Sequence, residues 1–194
     1  MPDLQLSIAV GDYDHIRDFT SGRVKAEGLS LVASHLPVEE MFFRFIKFHE
    51  WDMAEMSFGK AISLMSQPDP WLALIPVFPS RAFRHSSIYV RADRGIEKPA
   101  DLAGKKVGVP EWAQTAAVYS RGMLNSEYGV DLRSIDWYQA GVNDPGRLEK
   151  VQLQLPAGLR YTPRPDRSLS GMLASGEIDA VLSARAPRAF VEHP

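Results

Sequence analysis

The sequence predicts an α/β fold in two lobes, and three observations carry that prediction. Along its 194 residues, strand-length apolar runs alternate with segments of helical spacing, the pattern of a mostly parallel sheet with crossover helices. A polar stretch at residues 91–99, "RADRGIEKP", interrupts the alternation and sets the boundary between two lobes, 1–92 and 93–194. Hydrophobic residues make up 45% and charged residues 24%, a globular composition with enough apolar side chains for a real core. A crevice between the lobes is then the default ligand site.

Each element has its own signal. "LQLSIAVG" alternates and breaks at Gly-Asp, a first strand. "LSLVASHL" reads as a second strand, and Pro37 followed by Glu39 and Glu40 opens a helix. That helix carries Val38, Phe42, Phe45 and Ile46 at helical spacing. "WDMAEMSFG" gives a short strand and "KAISLMS" a short helix, while the continuous apolar run "WLALIPVF" predicts a buried strand. "RHSSIYV" is the next strand. Then come a helical turn at 100–103, a strand at 106–109, a helix ending near Glu127 with Gly129 as its stop, and the strand "SIDWYQA". Proline and charge thicken at 143–147 and 163–167, which are expected to be loops. "SLSGMLASGEIDAVL" closes the pattern with a helix, a turn and a strand at 178–182.

Composition excludes several classes. Twenty-two basic residues against 24 acidic ones leave a net charge of −2, so no nucleic-acid or membrane footprint shows in the total. An anion site must therefore be a local cluster. Without cysteine there are no disulfides, thiol nucleophiles or Cys-based zinc sites. The opening "MPDLQLSIAVGDYDH" lacks the basic region, long apolar run and cleavage site of a secretory leader, and no run reaches the ~18 apolar residues of a membrane helix. A cytoplasmic protein is the expectation. There is no GxSxG, Walker A, HExxH or dinucleotide fingerprint.

Local chemistry concentrates in a few places. "FPSRAFRHSS" sets Arg81, Arg84 and His85 within five positions. In a regular strand Arg84 and His85 face opposite ways, while Arg81 lies in the turn before it. Two solvated arginines at a strand entry and a clamp for a carboxylated ligand are both open, and the planar guanidinium suits the second. "GVPEWAQTA" opens a helix whose free amides, with Gln114 and Thr115, form a possible anion seat. Glu111 there either caps the helix or accepts a hydrogen bond from a ligand. In "GDYDH", Asp12, Asp14 and His15 make an unconvincing metal site without a remote partner cluster, so no metal is expected. Asp14 or Tyr13 facing ligand competes with a self-bonded loop. Glu55 and Ser57 in "AEMSFG" are wall candidates, as is Glu39, whereas Glu40 and Arg44 form an i,i+4 surface pair. Arg185 follows the last strand, and Arg147 is a loop charge with a weaker claim. His35, His49 and His193 read as structural or solvated.

Two motifs, "DLAGKKVGVPE" and "LSGMLASGEIDAVL", resemble the second-lobe elements of the type 2 periplasmic-binding-protein superfamily. A narrower resemblance covers nearly the whole chain. "LPVEEMFFRFIKFHEWDMAEMSFG", "IPVFPSRAFRHSSIYV" and "SGEIDAVLSARAP" are similar to the 4,5-dihydroxyphthalate decarboxylase family. That resemblance implies a two-lobed periplasmic-binding-protein-like fold and non-oxidative loss of one ring carboxylate as CO2, giving protocatechuate. It implies a small aromatic carboxylate as partner, no nucleic acid or membrane, and no cofactor; oligomeric state is left open. Family chains are longer, so the resemblance implies a first lobe left incomplete and an activity that the missing part could abolish. In this scheme Arg81, with Arg84, Arg185 or the helix amides, clamps carboxylates. Glu55 or Glu111 takes the phenol proton. His85 donates the proton to the ring, since histidine titrates nearest neutrality. A solute-binding protein for a carboxylated small molecule, serving a transporter, is the alternative, because fold alone does not decide function.

Overall fold

In a computed structural model, which describes residues 3–192, the chain forms two sheets, one parallel and one mostly parallel, each serving one lobe. The first lobe is built on β1 (Leu4–Ala9), β2 (Leu29–Ser34) and β3 (Met53–Ala54), in the order β2-β1-β3 and all parallel. A short helix α1 (Arg17–Thr20) follows β1, then α2 (Val38–Phe48) crosses from β2 to β3, and α3 (Phe58–Met65) follows. Pro37 caps α2 instead of occupying its first turn. The buried face of α2 is Met41 and Phe45, while Phe42 turns to the crevice. His49 ends the helix in the left-handed region and stacks on Trp71 at 3.9 Å.

The second lobe holds five strands in the order β4-β8-β5-β6-β7: β4 (Ile88–Val90), β5 (Lys106–Val109), β6 (Asp136–Gly141), β7 (Arg160–Ser168) and β8 (Ala180–Leu182). Only β4 runs antiparallel to its neighbour. Helix α4 (Thr115–Ser126) joins β5 to β6, α5 (Leu169–Ser175) joins β7 to β8, and α6 (Arg188–Glu192) follows β8. β4 pairs with β8, so Ile88–Val90, ahead of the polar stretch 91–99, already belong to the five-stranded sheet. Most of the fully buried apolar residues belong here, with Val107, Leu124, Ile135, Trp137 and Leu182 in one cluster.

Two expectations need correction. "WLALIPVF" is no strand: residues 66–84 contain neither helix nor strand, and Leu74, Ile75, Val77 and Phe78 are exposed. Pro68, Pro70, Pro76 and Pro79 each remove an amide donor, so the stretch cannot complete a ladder. Conversely, the proline-rich 163–167 is no loop but the middle of β7. That strand is the edge of its sheet, bonded on one side only to β6, which is where proline is tolerated within a strand. His193 lies outside the described residues.

Candidate functional site

The site is assembled from segments that leave the carboxyl ends of parallel strands, the position where α/β sheets place ligands. After β1 the chain turns at Gly11, whose amide donates to Glu55 Oε2 at 3.1 Å. Tyr13 donates its hydroxyl to Glu55 Oε1 at 2.8 Å. A Cβ at Gly11 would meet the Tyr13 ring at 2.7 Å, so glycine is what lets that ring fold back. Burial and the Glu55 contact push the Tyr13 phenol above its ordinary value. Glu55 itself follows β3, tied by its amide to Ala9 O at 2.8 Å.

From α3 comes Lys60, a buried lysine that meets a buried carboxylate of the other lobe. Glu111, just past β5, is 0% exposed. Its Oε2 lies 2.5 Å from Lys60 Nζ, and its Oε1 lies 2.6 Å from Arg147 Nη2 and 3.7 Å from Lys150 Nζ. Burial works to raise the pKa of Glu111, but the field and contact of Lys60, then Arg147 and Lys150, outweigh it and hold the carboxyl below the usual range. Arg147 and Lys150 stand on the loop after β6. Between them Glu149 accepts from the amides of Trp112 at 2.5 Å and Ala113 at 3.4 Å, fastening that loop to the turn before α4. Burial first, then the neighbouring Glu111, raise the Glu149 carboxyl. Burial lowers the Lys150 ammonium.

These groups border a cavity of about 280 Å³ between the lobes. Five cations line it, Lys60, Arg84, Arg147, Lys150 and Arg185, against the carboxylates of Glu39 and Glu55. Ser57, Gln114 and Thr115 lie on the same wall. Ser57 Oγ is 2.9 Å from Thr115 Oγ1, which also accepts from the Gly59 amide at 3.1 Å, so the starts of α3 and α4 are pinned together. At the rim Arg185 Nη2 sits 3.1 Å from Glu39 Oε1, an exposed ion pair between lobes. The Gln114 Oε1 atom is buried without a hydrogen-bond partner, a polar acceptor held at the cavity. The anion seat expected from the turn after Pro110 is partly filled from within, since Glu149 takes the Trp112 and Ala113 amides. Thr115 and Ala116, in the first turn of α4, whose amides no residue of the helix itself can satisfy, line the cavity.

Several expected residues do not meet this cavity. Arg81 is exposed and does not line it. His85 lies in a 3-10 turn (His85–Ser87), not a strand, and borders a separate groove with Ile96, Leu102 and Met123. Of the three basic residues in "FPSRAFRHSS", Arg84 is the one on the crevice wall, beside Ser80 and Ala82. Asp14 is almost fully exposed and pairs with Arg17 at 3.0 Å. Among the described residues no cluster of His, Cys, Asp or Glu could hold a metal. Lys60 and Lys150 carried no readable signal in the sequence: one is a lone charge in an apolar helix, the other a lysine in a loop. Only the fold brings them to Glu111.

Two lobes, mostly parallel sheets and a crevice lined by five cations define the class, a two-lobed α/β protein with a positively charged cleft. No family profile matches the chain. A 4,5-dihydroxyphthalate decarboxylase of Comamonas testosteroni is 47% identical over 192 residues, covering 98% of this chain and 58% of that protein. Another, of Pseudomonas putida, is 45% identical over 197 residues, covering 100% of this chain and 76% of the relative. The chain thus spans little more than half the length of the first relative and three quarters of the second. It belongs to the 4,5-dihydroxyphthalate decarboxylase family.

Proposed function

We propose that the crevice removes one carboxylate from 4,5-dihydroxyphthalate, releasing CO2 and 3,4-dihydroxybenzoate. One observation carries this reading: the charge of the cavity. Five cations line it against the two carboxylates of Glu39 and Glu55, a positive surplus that complements a ring with ionised carboxylates. A volume of about 280 Å³ is near the lower end for small-molecule sites and suits a single ring. Arg84, Arg147 and Arg185 supply guanidinium forks for the carboxylates.

The reaction needs a phenol deprotonated, a ring carbon protonated and a C–C bond broken. Glu55, already bonded to Tyr13, takes the proton of the hydroxyl para to the departing carboxylate, and electron density moves to the carbon that bears it. Lys150 then protonates that carbon. The C–C electron pair returns to the ring, CO2 leaves, and the phenoxide recovers its proton from the Tyr13–Glu55 pair. One proton is consumed overall. Burial favours the role of Lys150 as donor, because a depressed ammonium is the stronger acid. A type 2 periplasmic-binding-protein-like scaffold and a cytoplasmic location belong to the same reading, supported by "DLAGKKVGVPE" and "LSGMLASGEIDAVL" and by the catabolic relatives.

The test is incubation with 4,5-dihydroxyphthalate and measurement of CO2 and 3,4-dihydroxybenzoate, with a curated relative assayed in parallel. Lys150→Met should lower kcat by about 10²–10⁴, the usual contribution of a positioned acid, with KM changed only a few-fold. Arg84→Ala should chiefly raise KM. Binding of the substrate without CO2 release, while the relative turns over, would sink the reading.

A further inference from the structure

Behind the crevice, α3 and α4 part to leave a groove of about 730 Å³, larger than the crevice cavity. Phe58, Ile62, Trp112, Tyr119 and Leu153 are among its walls, and Arg121 is the single charged residue lining it. Arg121 is 5% exposed. Its guanidinium carbon stands 3.5 Å over the Trp112 ring, and Nη2 donates to Trp112 O at 2.8 Å. Nη1 is buried with no hydrogen-bond partner.

Among the described residues no carboxylate forms an ion pair with this arginine. Glu149 is the carboxylate whose field reaches it, but the oxygens of Glu149 are committed to the amides of Trp112, Ala113 and Lys150. The Tyr161 hydroxyl, also in that electrostatic neighbourhood, is buried and unpartnered too. Burial pulls the Arg121 pKa down to about 9 against the opposing field of Glu149. Buried charges are costly unless paired, and a strut for the Trp112 turn needs no charge.

We propose that this groove is a second ligand site and takes a small aromatic carboxylate. The carboxylate meets Arg121 Nη1, the donor left free, as a charge-assisted hydrogen bond. The ring lies against Trp112 and Tyr119, whose faces supply the apolar and stacking contact. Residues 152–154, irregular in structure, also line the groove. Phe58 lines both this groove and the crevice, so occupancy of one bears on the shape of the other.

Benzoate is the probe, titrated calorimetrically into the unmodified chain and three variants. It lacks the hydroxyls that the decarboxylation scheme requires and cannot turn over, and Arg84→Gln separates binding in the crevice from binding in the groove. A saturable binding phase is expected, weakened at least tenfold by Arg121→Gln and about threefold or more by Ser66→Glu, which sets a negative charge on the exposed rim of the groove. Arg84→Gln, in the crevice, should leave that phase in place. If Arg121→Gln does not fold, Ser66→Glu alone carries the comparison. Absence of a saturable phase, or a phase lost with Arg84→Gln and indifferent to Ser66→Glu, overturns the proposal.

Discussion

Glu111 and Lys60 show what a buried pair does at the scale of single residues. Each is buried, each comes from a different lobe, and Arg147 and Lys150 complete the shell around the carboxylate. Removing one partner strands the others, so Glu111→Gln should cost about 3–5 kcal/mol at neutral pH, read by urea unfolding. The pH dependence has a definite sign. The folded carboxyl lies below its unfolded value, so its stabilisation is present above about pH 4.3 and is lost as pH falls through the folded value. Glu149 is raised and pulls the other way. The comparison is therefore the difference between the two proteins: acidification should destabilise the unmodified chain more steeply than Glu111→Gln, and parallel curves would refute the assignment. Arg84 and His85 carry the lesson about legibility at this scale. The two side chains do part, but through a 3-10 turn and not through strand alternation, and no local pattern announces that turn.

At the scale of elements, the loop after β6 places two of the five cavity cations, and its entry is sterically closed to any side chain. A Cβ at Gly141 would meet the Asp144 carbonyl oxygen at 1.9 Å and the Arg147 Cβ at 3.4 Å. Backbone cannot yield cheaply, so Gly141→Ala should displace residues 143–147 and cut turnover at least tenfold, while far-UV circular dichroism keeps its shape. Overpacking of this kind typically costs about 1–3 kcal/mol, so an unchanged kcat together with an unchanged melting temperature would contradict the expectation. Element type was legible wherever one face of a segment is apolar and the other polar, as in α2 and β1. It was misread where proline decided. Four prolines keep 66–84 out of any sheet, whereas Pro163 and Pro165 are accommodated because β7 has an open edge. Edge position is a property of the whole sheet and leaves no mark on five residues of sequence.

The whole molecule is held closed at two heights. At the base, Lys60–Glu111 and the Ser57–Thr115 contact join the lobes, and Gly59 approaches so closely that a Cβ there would lie 2.6 Å from the Ala113 carbonyl oxygen. At the rim the exposed Glu39–Arg185 pair spans the gap, and exposed pairs are worth roughly 0–1 kcal/mol. Gly59→Ala should therefore wedge the base apart, lowering substrate affinity and turnover together. Glu39→Gln should change stability by less than about 1 kcal/mol, with an effect on ligand affinity that fades as salt is raised. Calorimetry of the two variants at low and high salt separates base from rim, and equal effects would show that the heights are not distinct. By itself, the sequence determined the α/β class, the order of most elements and the family, because hydrophobic periodicity and long motifs are written residue by residue along the chain. It also supplied Glu55, Ser57, Gln114 and Arg185 as wall candidates, each adjoining a readable strand or helix end. Only the tertiary structure decided that Lys60, Arg147 and Lys150 surround Glu111, and that Arg84 rather than Arg81 or His85 reaches the crevice. A site made where two sheets meet depends on distances across the chain, and these are set by packing and not by spacing.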